Sequence, residues 1–271
     1  MILNRLLNKL NQDYLDGEIM NHWSFSRSQR FNDCKRCFFN SLNETKSNNS
    51  NKANTNFING GTYIGQCVHE TIKIVLQEQI TQFGNKVSDM RMYSVNKMLD
   101  HFEDTSELIL SKSRQDRSFE KEKNRLDKTA RDHLKTWNTN FRNMYRGHEI
   151  ISFEEEQMWE YEGNEIQLIV DLVTVKDNAM CITDWKTNRT PKPRNNNAQL
   201  TSYIIWAEEN YSQYEEFNSY FFYTKTGKKV ENAITEMKKY SMKSQISEEA
   251  EIWRLKKIDD FPRNTNCERC N

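Results

Sequence analysis

Two aspartates and a lysine interrupt the apolar stretches of residues 166–187, at a spacing that could support metal-assisted chemistry on a phosphate. Asp171 interrupts one apolar stretch, Asp184 ends the next, and Lys186 follows two residues later on the same side of a strand. Carboxylates among Ile, Val and Leu are costly unless a cation compensates them, and a hard divalent cation such as Mg²⁺ or Mn²⁺ prefers oxygen ligands. Such an ion could activate a water, while the lysine orients it or stabilises the transition state. The alternative is a structural ion pair between Lys186 and one aspartate.

Three more polar side chains stand where they could join this site. His69 lies beside the apolar face of a predicted helix, so a neutral imidazole could point inward as a metal ligand. Gln199 and Tyr203 are four residues apart and share a helix face, where Gln199 could bond a phosphate or Lys186 and Tyr203 could contact the substrate backbone. The alternatives are a packed or surface histidine, a core tyrosine and a solvated glutamine.

Two C-x-x-C pairs lie near opposite ends of the chain. Cys34 and Cys37 form one pair, and Cys267 and Cys270 form the other. Two such pairs can supply four thiolates to one centre, which suits zinc or an iron–sulfur cluster. The alternative is four cysteines without a shared ligand.

The elements that must position these residues are a small sheet and several helices. Polar residues 43–60 predict a flexible Asn-rich loop, and residues 84–147 predict a helical insertion that covers one side of the core. Cys67 and Cys181 lie among apolar residues and are predicted to fill the core. The periodicities predict helices over 62–82, 89–112, 118–146 and 197–209, and strands over 149–161, 165–175, 180–185 and 217–224. This order favours a mixed α/β fold with helices flanking a small mixed sheet.

Several motifs together resemble the PD-(D/E)XK nuclease superfamily, and specifically its RecB-like branch. Residues 65–70 (GQCVHE) resemble the helix that carries a metal-binding histidine, and residues 184–187 (DWKT) resemble the D-Y-K-T strand. Residues 199–203 (QLTSY) resemble the Q-x-x-x-Y helix, and Asp171 matches the first acidic position, although Leu168, Ile169 and Val170 replace the usual nearby glycine. The resemblance implies one nuclease domain over residues 1–271 with a restriction-endonuclease-like core, and His69, Asp171 and Asp184 as metal ligands.

The resemblance also implies a 4Fe–4S cluster held by Cys34, Cys37, Cys267 and Cys270, because the AddB-type domain and the CRISPR-associated exonuclease group clip their termini together in this way. Residues 24–39 look like the N-terminal cysteine segment of these proteins. The arrangement differs, however, because those proteins have one N-terminal and three C-terminal cysteines, whereas this chain divides them two and two. Zn²⁺ therefore remains the alternative.

Composition limits the setting and the partners. The mean hydropathy of −0.94 indicates a polar protein. Because the net charge is zero, a phosphate-binding surface must be a local basic patch. Arg189, Lys192 and Arg194 follow Lys186 and could position the substrate strand, or could simply be solvated. No stretch is long and apolar enough for a membrane span, and the Leu-containing N-terminus lacks the form of a signal peptide. We therefore expect a cytoplasmic protein, in the host cytoplasm if a phage encodes it.

Together these features predict a metal-dependent DNA exonuclease that works on single-stranded DNA or duplex ends in end processing, recombination or phage DNA metabolism. Recombination, replication or CRISPR-adaptation proteins are the partners to consider. Two alternatives remain, a structure-specific endonuclease with the same site and a catalytically inactive nucleic-acid-binding protein of the same fold.

Overall fold

The computed structural model describes residues 22–47, 58–113, 115, 117–188, 196–231, 233–255, 261–262 and 267. The helices in this part of the chain are α1 (Phe25–Asp33), α2 (Lys35–Ser47), α3 (Gly60–Phe83), α4 (Val95–Ser111), α5 (Arg117–Met144), α6 (Asn196–Asn210) and α7 (Glu236–Leu255). The strands are β1 (Glu149–Ser152), β2 (Glu155–Tyr161), β3 (Asn164–Val170), β4 (Leu172–Lys176), β5 (Ala179–Lys186), β6 (Glu216–Tyr223) and β7 (Lys228–Glu231).

Five strands form a mixed sheet in the order β1-β4-β5-β6-β7, and β2 and β3 form a separate two-stranded sheet. Within the larger sheet β5 and β6 run parallel, whereas the other neighbours are antiparallel. The parallel pair needs a crossover, and α6 lies in the connection between the two strands. A mixed sheet with flanking helices agrees with the fold class predicted from the sequence.

The chain divides into two compact units. The first contains Met1–Ala53, Met158–Gln167 and Lys243–Asn271, and the second contains Asn54–Gln157 and Leu168–Met242. Within the first unit the rings of Phe31, Phe38, Trp253 and Phe261 meet edge to face or tilted, which makes a small aromatic core.

Helix α3 is the centre of the second unit. The Asn59 side chain accepts a hydrogen bond from Thr62 N at 2.9 Å and caps the start, and Gly84 with φ +80° ends the helix. The helix packs against both α4 and α5. The apolar side chains that it buries are Tyr63, Cys67, Val68, Ile72, Val75 and Leu76.

The two helices between residues 84 and 147 contribute to the core of the second unit. Met98 and Phe102 of α4 and Leu134 and Trp137 of α5 are buried in the same apolar cluster as the buried face of α3. This differs from the expectation of an insertion that only covers a core. The alternation of charged and apolar residues indicated surface helices, but their apolar stripes are wide enough to complete the core.

The structure corrects the predicted strands at three places. The strand expected over 149–161 is interrupted at residues 153–154, and the strand expected over 165–175 is interrupted at Asp171, so that β3 and β4 belong to different sheets. Strand β7 is not among the predicted strands, and it follows a turn over residues 224–227. At Asp171 the apolar composition continues on both sides of the break, so it does not reveal where the backbone changes direction.

The predicted Asn-rich loop over 43–60 is also shorter than expected. Helix α2 continues to Ser47 and α3 begins at Gly60, while residues 48–57 lie outside the described part of the chain. A polar segment can extend an existing helix because each added residue forms a hydrogen bond without a new nucleus. Within the described residues, no helix combines the length and the apolar character needed to cross a membrane.

Candidate active site

Asp171 lies in the break between β3 and β4, and the break aims its carboxylate inward. The side chain is buried, and its Oδ2 accepts a hydrogen bond from the backbone N–H of Trp185 at 2.5 Å. This bond ties the carboxylate to the next strand, β5. Burial raises the pKa of Asp171 above its ordinary value, although His69 opposes the shift.

Asp184 and Lys186 project from the same side of β5 and form an ion pair. The Lys186 Nζ lies 2.6 Å from Asp184 Oδ2 and 4.9 Å from the centre of the Phe221 ring on β6. Burial raises the pKa of Asp184 to about 6, although the Lys186 ammonium lowers it and Asp171 raises it further. The two residues thus face one another as the strand pattern predicts.

Gln199 and Tyr203 on α6 hold this ion pair in place. The Gln199 Oε1 accepts a hydrogen bond from Lys186 Nζ at 2.9 Å, and its Nε2 donates to Asp184 Oδ1 at 2.8 Å and to the Tyr203 hydroxyl at 2.8 Å. The expected contact between Gln199 and Lys186 is therefore present. The Tyr203 hydroxyl lies within reach of Ile169 O at 3.0 Å and Asp184 Oδ1 at 3.2 Å.

The structure changes the interpretation of Tyr203. Its side chain is only 3% exposed, so the expected contact with a substrate backbone does not fit. Burial, with Asp184 and Asp171 adding to it, raises the pKa of Tyr203 well above its ordinary value, so the hydroxyl stays protonated as a hydrogen-bond donor. Tyr203 is thus both a core residue and a support for the Asp184 carboxylate.

His69 on α3 meets two carboxylates. Its Nδ1 lies 2.9 Å from Glu154 Oε1 and 3.4 Å from Asp171 Oδ1. Burial by itself lowers the pKa of His69, but Asp171 and Glu154 outweigh burial and hold the pKa well above its ordinary value. The predicted placement of His69 beside Asp171 is present, and Glu154 is a neighbour that the sequence interpretation missed.

These residues fit a hard divalent cation. One nitrogen and two oxygens from His69, Glu154 and Asp171 lie within 4.8 Å of one another, a separation that ligands of one ion can have. The buried Asp184 Oδ2 has the Lys186 ammonium beside it but accepts no hydrogen bond from the described residues. An imidazole with several carboxylates, one with an oxygen lacking a hydrogen bond, is a donor set that suits Mg²⁺ or Mn²⁺.

A second candidate centre lies in the first unit, where Cys34, Cys37 and Cys267 bring their sulfurs within 4.8 Å of one another. The Sγ atoms of Cys37 and Cys267 are 3.3 Å apart. The fourth predicted ligand, Cys270, lies outside the described residues. Three converging thiols suit a soft or borderline centre such as zinc or an iron–sulfur cluster.

The structure describes the two remaining cysteines, whereas the basic residues predicted to contact the substrate lie outside the described residues. Cys67 and Cys181 are buried, as the sequence predicts for core residues. The basic residues 189, 192 and 194 lie outside the described part of the chain.

Comparison with known proteins agrees with this arrangement. Residues 22–271 match the family model of the PD-(D/E)XK nuclease superfamily. The chain also resembles a crystal structure described as a "putative exonuclease" from Eubacterium rectale, with a TM-score of 0.55 and 13% sequence identity over 96% of this chain and 91% of that chain. At this identity the likeness bears on the fold alone, and it confirms the predicted mixed α/β fold class. No curated protein matches the chain.

Proposed function

Because the chain belongs to the PD-(D/E)XK nuclease superfamily, we propose that it is a divalent-metal-dependent exonuclease that hydrolyses the phosphodiester bonds of DNA. The observation that carries the proposal is the meeting of two buried carboxylates, Asp171 and Asp184, with the Lys186 ammonium at one end of β5. Burying two carboxylates and an ammonium costs free energy that a purely structural role would not offset.

In this proposal His69, Asp171 and Asp184 hold a Mg²⁺ or Mn²⁺ ion. When bound, such an ion supplies Lewis acidity towards the phosphate and a water molecule of lowered pKa. The three side chains come from α3, from the β3–β4 break and from β5, so the fold itself sets the spacing of the donor atoms. Separate elements of a packed core can hold donor atoms more rigidly than one loop can.

Lys186 supplies the positive charge that the developing phosphorane needs. Its side chain is 23% exposed, and its Nζ lies 2.6 Å from Asp184 Oδ2, so Lys186 is held by Asp184 without being fully buried. A fixed cation in a partly dehydrated site stabilises developing negative charge more than a solvated one does. Gln199 and Tyr203 act through Lys186 and Asp184 as positioning residues.

The expectation of an exonuclease rests on the RecB-like motifs and on the name of the E. rectale structure. We propose free ends of single-stranded or duplex DNA as the substrate, and end processing, recombination or phage DNA metabolism as the setting. We also propose that the cysteine centre is a 4Fe–4S cluster, with Zn²⁺ as the alternative. The convergence of three cysteine sulfurs supports a bound centre in either case.

The test compares linear DNA with covalently closed circular DNA of the same sequence in the presence of Mg²⁺ or Mn²⁺. We expect the linear form to be degraded and the circle to remain, because an exonuclease needs an end. Lys186→Ala should lower the rate by at least about 100-fold, the scale on which a single fixed charge-stabilising group acts.

Lys176→Ala is the matched control, because Lys176 ends the neighbouring strand β4. It should retain the wild-type rate. Cleavage of the circle would indicate an endonuclease instead of an exonuclease. Cleavage of a linear RNA of the same sequence, with neither DNA form cut, would show that RNA is the substrate. Undiminished cleavage by Lys186→Ala would overturn the assignment of the site.

A further inference from the structure

Glu154 occupies an unusual backbone position beside the candidate active site. It lies between β1 and β2, with φ +46°, in the left-handed region that residues other than glycine rarely adopt. The pairing of β1 with β4 shifts register between Ile150 and Ser152, just before this residue. The Glu154 N–H then donates to Asp171 O at 3.1 Å. The irregular strand end and this hydrogen bond together hold a conformation that the local sequence would not choose.

This backbone conformation places the Glu154 side chain where a metal ligand would stand. Its Oε1 lies 2.9 Å from His69 Nδ1, and the side chain is only 12% exposed. The neighbouring Glu155 and Glu156 belong to β2 and are exposed. One carboxylate of three consecutive glutamates is thus turned into the site, and a strained residue at such a position is a common mark of function.

The donor atoms of Glu154, His69 and Asp171 form one compact set. All three lie within 4.8 Å of one another. Among the described residues, His69 is the one basic side chain that forms an ion pair with Glu154 or Asp171. A divalent ion with oxygen and nitrogen ligands satisfies all three at once.

We propose that Glu154 is a direct ligand of the divalent ion, so that the ion rests on His69, Glu154 and Asp171 in addition to Asp184. This inference deepens the proposed function and rests on it for the presence of the ion. The alternative that the test must distinguish is a positioning role, in which Glu154 only accepts a hydrogen bond from His69 and orients the ring.

The test measures Mn²⁺ binding to the full chain in the absence of DNA, by calorimetry and by the electron paramagnetic resonance of free Mn²⁺. Glu154→Gln retains the shape and an oxygen that can accept from His69, but it removes the charge. Glu154→Gly removes the whole side chain and suits the left-handed backbone, so this variant should fold. A direct ligand predicts Mn²⁺ affinity weakened at least 10-fold in both variants.

Two further variants calibrate the measurement. Glu155→Gln changes an exposed glutamate one residue away and should bind Mn²⁺ as the wild type does. Asp171→Asn should lose Mn²⁺ affinity and so shows that the measured ion sits in this site. Thermal unfolding without metal checks that each protein is folded.

The outcomes separate the inference from the proposed function. Mn²⁺ affinity within twofold of wild type in Glu154→Gln would overturn the ligand role, even if the wild type degrades DNA. Weakened binding in the Glu154 variants with no DNA cleavage by the wild type would support the ligand role and overturn the proposed function. A wild-type protein that binds no Mn²⁺ at millimolar concentration would overturn both.

Discussion

The Asp184 carboxylate is contacted by three side chains of the candidate site. Gln199 and Tyr203 engage its Oδ1, while Lys186 stands beside its Oδ2. These partners fix the plane of the carboxylate before any substrate arrives. A site that is organised in advance loses little energy to rearrangement during the reaction.

The Tyr203 hydroxyl offers a direct test of this support. In Tyr203→Phe the carboxylate and the Gln199 amide each lose a hydrogen-bonding partner, and one such bond to a charged group is worth about 1.5–3 kcal/mol. We expect kcat to fall by about 10-fold or more while KM for DNA stays unchanged, because the buried hydroxyl does not face the substrate. Steady-state kinetics on linear DNA gives both constants.

Tyr240→Phe is the control, because Tyr240 is 73% exposed on α7. It should leave both constants unchanged. A rise in KM for Tyr203→Phe with constant kcat would instead favour a direct contact between Tyr203 and DNA.

Local spacing was sufficient to predict some of these residues. Asp184 and Lys186 follow from strand alternation, and Gln199 and Tyr203 follow from the helical repeat of four residues. Glu154 could not be identified in this way. It is one of three adjacent glutamates, and its orientation depends on a left-handed backbone held by a hydrogen bond to the distant Asp171.

Among the elements, strand β5 separates chemistry from packing by its alternation. Asp184 and Lys186 face the site, while Trp185 between them faces the core, where its ring meets Trp137 and Phe222 edge to face. The large buried ring fixes the strand, and the strand in turn fixes the two charged groups. The sequence showed this alternation, but it did not show the break that separates β3 from β4, because the apolar run continues on both sides of Asp171.

Helix α5 also supports the end of β5. The His133 Nδ1 lies 2.7 Å from Thr224 Oγ1, and Thr224 Oγ1 donates to Lys186 O at 3.2 Å. Because the Thr224 hydroxyl donates to the carbonyl, it accepts from a protonated Nδ1 of a neutral His133 ring. Helix α5 therefore contacts, through Thr224, the backbone of the proposed catalytic lysine.

The buried histidines predict how stability depends on pH. Burial lowers the pKa of His133 to about 4 and that of His148 to about 4, from an ordinary value of 6.5. Between pH 6.5 and pH 4 the unfolded chain binds protons that the folded chain does not, so the stability present above pH 6.5 is lost as the pH falls towards 4. We expect the urea concentration at the midpoint of unfolding to fall as the pH is lowered from 6.5 to 4.

The variant His133→Gln isolates the contribution of His133 to this pH dependence of stability, because glutamine can donate to Thr224 but does not titrate. The decline between pH 6.5 and pH 4 should be shallower in this variant than in the wild type. Carboxylates that titrate in the same range, such as Asp184, are common to both proteins and cancel in the comparison. If the urea midpoints of the wild type and of His133→Gln fell in parallel with pH, the lowered pKa assigned to His133 would be contradicted.

For the molecule as a whole, the two candidate centres belong to different compact units. The cysteine sulfurs lie in the first unit, and the His69, Glu154 and Asp171 set lies in the second. The sequence indicated two separate metal sites because each set of ligands has its own spacing. It did not indicate the division into units, because the first unit collects three stretches that are far apart along the chain.

We predict that anaerobically purified protein is brown, with a broad band near about 400 nm, if the cysteines hold an iron–sulfur cluster. Cys37→Ser should remove this band and lower the stability of the first unit by at least about 1 kcal/mol, or roughly 2–4 °C in Tm for a chain of this size. The Mn²⁺ affinity of the second unit should persist. A colourless protein with bound zinc would select the alternative, and a metal-free protein of unchanged stability would contradict both.

Cys37 and Cys267 stand 230 positions apart in the chain, yet their sulfurs lie 3.3 Å from each other. During translation Cys37 therefore leaves the ribosome 230 residues before Cys267 does. A product that ends between residues 186 and 267 would carry the complete set of His69, Glu154, Asp171, Asp184 and Lys186. It would lack Cys267 and so could not complete the cysteine centre. We therefore expect a metal centre at these cysteines to form only in chains that have been synthesised beyond Cys267.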